Sequence, residues 1–179
     1  MTDRRIAKTR LALRDAMLAL MPDRGWDELN VQDICDRANV GRSTFYLHYQ
    51  GKEDLLAESL NDLRVALGSL ASADAGAQHQ PMGFMPGLLA HMVENRPVFK
   101  SVIGRRSGYV VERRFRDMVV QLVEDDMAKL GVIGLRQKML ARSLSGALVD
   151  LMAWWVDASD EPSVDVLGQF MRELTENML

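Results

Sequence analysis

The chain has 179 residues, room for one large domain or two small ones with a sizeable core. It is 47% hydrophobic and 26% charged with a formal net charge of −3, and no apolar run approaches the roughly 20 residues needed to span a bilayer, which excludes a transmembrane helix. The single cysteine, Cys35, excludes an internal disulfide and suits a reducing cytosol, so a cytoplasmic protein with no membrane partner is expected.

Spacings of three and four between apolar residues recur along the chain and strand-like alternation is nearly absent, which predicts an all-α fold of about nine helices. Helix one covers roughly residues 3–23, with Ile6, Leu13, Met17 and Leu20 on one face, and Gly25 stops it. Helix two follows Asn30, a good cap, with Asp33 placed to complete a capping box. Val31, Ile34, Cys35 and Ala38 give it one buried face. Asn39 tolerates the left-handed backbone of a tight turn, and helix three runs from about Arg42 to His48.

Gly51 breaks the chain before a long helix that starts near Lys52. Leu56, Leu60, Leu63, Leu67 and Leu70 form its stripe. Residues 71–87, rich in Ala, Ser, Gly and Pro, read as a flexible linker. Helix five then runs to about Asn95, and Pro97 opens a short helix six through Ile103. Helix seven spans about Tyr109 to Leu130. Gly131 and Gly134 mark a turn, helix eight covers Leu135 to about Ala158, and helix nine starts at Ser163 after an Asp160-Glu161-Pro162 turn.

Two short helices joined by a tight turn form a helix-turn-helix, whose second helix enters the major groove of DNA. On that helix Arg42, Ser43, Thr44, Tyr46 and His48 are the polar groups free to reach a duplex, while Phe45 and Tyr49 should point inward. Arg42 can bridge guanine O6 and N7. Thr44 offers a methyl and a hydroxyl, and Tyr46 and His48 suit phosphates. Lys52, at the start of helix four, could clamp a phosphate together with the helix N-terminus. Gln32 could touch the duplex from the side. Residues 1–52 carry nine basic against seven acidic residues, and residues 53–179 carry thirteen against eighteen. A mildly basic head on an acidic body favours contact through one end.

Residues Gly25 through Leu56 resemble the N-terminal DNA-binding domain of the TetR family of bacterial transcriptional regulators. The match is carried by Val40, Thr44, Phe45, Tyr46, His48, Tyr49, Lys52 and Leu55. Two positions depart from the pattern: Asn39 stands where Gly is usual, and Gly41 where Ser is common, so one hydroxyl contact is lost. The resemblance implies a sequence-specific regulator, expected to be a homodimeric repressor released from double-stranded operator DNA by a small-molecule effector. It implies residues 1–50 as the DNA-binding domain and 51–179 as the effector and dimerisation domain, with helix 52–70 as connector.

The resemblance also implies that helices four to seven enclose a ligand pocket and that the last two helices pair between subunits. Phe84, Met85, Met92, Phe99, Phe115, Met118, Leu122 and Trp154 are the pocket candidates, although Met or Phe on a helical stripe also reads as plain core. His91 matters if it faces that pocket, and Arg105, Arg106, Arg113 and Arg114 could receive an anionic effector. Leu144, Leu148, Leu151, Trp155, Leu167, Phe170, Met171 and Leu174 are the expected dimer interface. His48, His79 and His91 are scattered, and no phosphate loop or nucleophile elbow appears, so no enzyme activity, metal or cofactor is expected. The alternatives are a co-activator or adaptor whose C-terminal part binds a partner protein, and a helical scaffold that does not touch DNA.

Overall fold

The computed structural model describes residues 2–74, 81–104, 108–158 and 162–178. Among these residues there is no strand, and nine helices follow one another: α1 (Thr2–Arg24), α2 (Val31–Ala38), α3 (Arg42–Tyr46), α4 (Lys52–Asp74), α5 (Met85–Glu94), α6 (Arg96–Ile103), α7 (Tyr109–Lys129), α8 (Gly134–Asp157) and α9 (Val164–Met178). The all-α expectation holds.

The N-terminal boundaries follow from local chemistry. Gly25 ends α1 at φ +72°, a backbone that side chains other than glycine's rarely adopt, and its N–H donates to the Met21 carbonyl at 2.9 Å. At the start of α2 the Asn30 side chain accepts from the Asp33 N–H while the Asp33 carboxylate accepts from the Asn30 N–H, both at 3.1 Å. These two bonds satisfy donors the helix cannot use internally. Arg24 closes on Asp33 at 2.5 Å. The Asn30 amide and Arg24 hold the Asp33 carboxyl below its usual range. Asn39 makes the turn in the left-handed region, φ 52° and ψ 46°.

Two boundaries differ from the expected ones. Helix α3 closes at Tyr46, with Leu47 and His48 in a turn after it. The segment 71–87 is partly helical: α4 continues to Asp74 and α5 begins at Met85. Alanine-rich sequence favours continuing α4, and the approach to α5 is pinned, because the buried Asp126 carboxylate accepts from the Met82 N–H at 2.7 Å. Residues 75–80, with His79, lie outside the described residues, as do Arg105, Arg106, Asp160 and Glu161.

Helix α1 packs on α2, α4 and α6, so the N-terminal helices share one core with the rest. Leu13 and Met17 are fully buried in it, whereas Ile6 lies outside. Leu56 and Leu67 of the α4 stripe are buried, Leu60 and Leu63 half-buried, and Leu70 exposed. Gly87 lets α5 cross α4 closely, because a Cβ there would stand 3.1 Å from the Leu67 side chain. The α7–α8 pair is the most extensive in the molecule.

The end of α8 is fastened by a cation, as the negative pole of a helix dipole favours. Arg96 donates to the carbonyls of Trp155 at 3.1 Å and Ala158 at 2.9 Å, and its guanidinium lies 4.5 Å from the Trp155 ring centre. The Trp155 indole N–H donates to the Pro162 carbonyl at 2.9 Å, which ties α8 to the chain entering α9.

Candidate nucleic-acid interface

Helix α3 is anchored from beneath. Phe45 is fully buried and Tyr49 nearly so, their rings 5.5 Å apart. Burying a phenylalanine side chain stabilises by about 1.5–3 kcal/mol, enough to hold one side of a five-residue helix on α2. Arg10 of α1 donates to the Tyr49 hydroxyl at 3.3 Å, the hydroxyl donates to Glu58 of α4 at 3.2 Å, and Arg10 and Glu58 also pair directly. Burial, opposed by Arg10, raises the Tyr49 phenol above its ordinary pKa, so it remains a donor at neutral pH. The chain just after α3 is therefore bound to two other helices.

The opposite face is free. Arg42, Ser43 and Tyr46 are exposed, and Thr44 and His48 half-buried. Arg42 donates to the Tyr46 hydroxyl at 3.3 Å, and its guanidinium lies 5.8 Å from that ring centre, so the two form one polar surface. Gln32 is exposed on α2, its amide occupied by Asp36 at 2.6 Å. Gly41 precedes α3 without a side-chain cap bond, as a residue lacking a hydroxyl must.

Lys52 departs from its expected role. Its ammonium donates to the carbonyls of Trp26 at 2.6 Å and Leu29 at 2.7 Å and sits 4.6 Å above the Trp26 ring. The charge is spent on the α1–α2 loop, which leaves only the N-terminus of α4 for a phosphate. Leu47, which the sequence reading passed over, is the most exposed large apolar residue of the described chain, at 81%. It stands two residues from inward-pointing Phe45, about 200° around a helix, and that spacing was the signal available.

The expected pocket residues separate. Phe99 and Phe115, edge-to-face at 5.6 Å, line a cleft of about 440 Å³ with residues of α1, α4, α5 and α6. His91 faces it too, edge-to-face with Phe99 at 5.7 Å. Burial, opposed weakly by Glu94, lowers the His91 pKa below the ordinary 6.5. Phe84 and Leu122 line a different groove, between α4 and α7. Met85, Met92 and Met118 are buried core and line neither space. Arg113 and Arg114 face solvent, away from the cleft.

The two adjacent tryptophans have opposite surroundings. Trp154 is 52% exposed and Trp155 is 5% exposed, nested under Arg96. Trp154 therefore stands apart from the Phe99–Phe115 cleft, on the outer face of α8, where it lines a separate surface recess with Ile103, Gly104 and Asp157. Leu144, Leu148, Trp155, Leu167 and Met171, expected at a subunit interface, are buried in this chain's own core because α8 and α9 pack inward on α7 and α5. Phe170 is 54% exposed, and Leu151 and Leu174 are half-buried.

Residues 13–59 match the bacterial regulatory proteins of the tetR family. The helix-turn-helix-type transcriptional regulator YxbF of Bacillus subtilis (strain 168) is 26% identical over 93% of this chain and 44% of its own length. The chain thus spans under half of that relative. A TetR transcriptional regulator of Streptococcus agalactiae 2603V superposes with a TM-score of 0.69 at 26% identity, covering 97% of both chains. NalD of Pseudomonas aeruginosa, the secondary repressor of the MexAB-OprM multidrug efflux pump, superposes at 0.64 with 21% identity, over 97% of this chain and 96% of its own.

Proposed function

We propose that this chain, whose residues 13–59 match the tetR family of bacterial regulatory proteins, is a sequence-specific DNA-binding regulator: a homodimeric repressor that a small molecule releases from its operator. The observation that carries this reading is the two-sided character of α3. Phe45 and Tyr49 lock one side into the core, and Arg42, Ser43, Tyr46 and Leu47 stand clear on the other. A short helix held rigidly with its polar side outward is what insertion into a major groove requires.

In this reading residues 1–50 are the head, residues 51–179 the body, and α4 the connector. Arg42 reads a guanine, Leu47 meets a thymine methyl, and Ser43, Thr44, Tyr46 and His48 hold phosphates and sugars. Trp154, Val166 and Phe170, exposed on α8 and α9, are covered by a second copy together with Leu151 and Leu174. Two helices from each subunit make a four-helix interface. The paired heads then meet half-sites about 34 Å apart. An effector in the Phe99–Phe115 cleft shifts α4 against α1, and a coupling of about 1–3 kcal/mol changes operator occupancy 5–150-fold.

Selection of genomic DNA fragments on the purified full chain, followed by anisotropy titrations at several salt concentrations, tests this reading. The expected result is tight binding to a recovered palindromic site with a steep salt dependence. Arg42→Glu should abolish that binding while the dimer persists, since Arg42 is exposed on α3 and its hydrogen bond is to Tyr46 of the same helix. No salt-dependent binding to any fragment, or an Arg42→Glu protein that binds normally, overturns it.

A further inference from the structure

We propose that the cleft between α1, α4, α6 and α7 takes a lipophilic organic cation. This rests on the effector-released reading above and says what the effector is. At about 440 Å³ the cleft has room for a small drug-sized molecule. Its inner wall is apolar and aromatic: Met21 from α1, Leu60 from α4, Phe99 and Val102 from α6 and Phe115 from α7.

The rim has an unbalanced charge. Arg14, its one permanent cation, stands 3.4 Å from Asp15 and 3.9 Å from Asp62. One guanidinium shared between two carboxylates leaves a net negative charge at the mouth. The other basic group on the lining, His91, is neutral at pH 7: burial disfavours its charged form, and Asn95 Nδ2 lies 3.2 Å from its Nδ1, where an amide can donate to an unprotonated ring nitrogen. A carboxylate or phosphate entering the cleft would meet two acidic side chains and no free cation. An ammonium or phosphonium would meet a complementary rim and, behind it, an aromatic wall built by Phe99 and Phe115.

The cleft also occupies the seam between the N-terminal helices and the rest. Arg14, Leu18 and Met21 belong to α1, which packs directly against α6. A molecule wedged there contacts both sides of the seam, so its contacts differ between two orientations of the head. Such differential contact is the condition for any ligand to shift an equilibrium. Linkage then requires that bound operator weaken cation binding by the same factor by which the cation weakens operator binding.

Tetraphenylphosphonium and tetraphenylborate, matched in shape and opposite in charge, are the probes. Calorimetric titration of the full chain should show the phosphonium binding about tenfold or more tighter than the borate, a preference that shrinks with salt. Asp15→Asn combined with Asp62→Asn, both at exposed positions that leave the core intact, should erase the preference, and Ala66→Trp at the rim should weaken both probes. Equal or tighter borate binding, absence of saturable phosphonium binding, or a double variant that keeps the preference overturns the proposal. The same phosphonium is then added to the operator complex. Selective binding that leaves operator affinity unchanged upholds the cation site and overturns release, so the two readings fail separately.

Discussion

Lys52, the first residue of α4, donates to the Trp26 carbonyl at 2.6 Å and holds its ammonium over the same residue's indole. Trp26 lies in the loop between α1 and α2, and a Cβ on Gly108, at the start of α7, would come within 3.5 Å of the Trp26 side chain. Helix α4, the α1–α2 loop and the start of α7 therefore meet at one residue, Trp26.

Removing that ammonium should loosen the loop. Lys52→Met keeps the side-chain length but leaves the Trp26 and Leu29 carbonyls without their charged donor. Hydrogen bonds to charged groups contribute about 1.5–3 kcal/mol. A loss of about 2 kcal/mol in urea unfolding, with weaker operator binding, is expected. An unchanged unfolding midpoint would show the clamp to be incidental.

Leu47 is predicted to meet one thymine methyl. Replacing the right thymine with deoxyuridine should weaken the wild-type protein by about 1 kcal/mol, the order of one buried carbon group. Leu47→Ala should bind both duplexes alike. The side chain has no core contact to lose, being 81% exposed, so stability should not change. A Leu47→Ala protein that still distinguishes the two bases at every position would remove Leu47 from the interface.

The two adjacent tryptophans should respond oppositely. Trp154→Glu alters an exposed face and should give a folded monomer in sedimentation experiments. Trp155→Ala empties a buried site and removes the surface under Arg96. It should cost about 3–5 kcal/mol of stability. A Trp154→Glu protein that remains dimeric would move the interface elsewhere.

His91 sets a pH dependence. Its folded pKa is lowered by burial, so the unfolded chain takes up the proton first as pH falls. Its contribution to stability is intact well above the ordinary value of 6.5, is lost as pH drops through that value, and levels off once the folded protein also protonates. Unfolding free energy measured from pH 8 to pH 5 should decline in that window, and His91→Gln should flatten the decline there. The Asp33 carboxyl, also lowered, acts in a separate window. Its contribution fades only as pH falls through the ordinary 3.8.

Much of this molecule was legible in the residues themselves. Asn30 with Asp33, Asn39, Gly25 and Pro97 mark helix ends by chemistry confined to a few neighbours, and Phe45 and Tyr49 follow from four-residue spacing. Tertiary structure decided the rest. Trp154 and Trp155 differ by one helical step of about 100°, and only the packing of α8 on other helices, with Arg96 some sixty residues away over the Trp155 ring, buries one and bares the other. Lys52 gave no sign in sequence of the two carbonyls it would find, because they lie more than twenty residues upstream. The cleft joins α1 to α6 and α7, and no local pattern encodes that meeting. Short-range hydrogen bonds and helical period are written along the chain; the partner of each face depends on how distant helices pack.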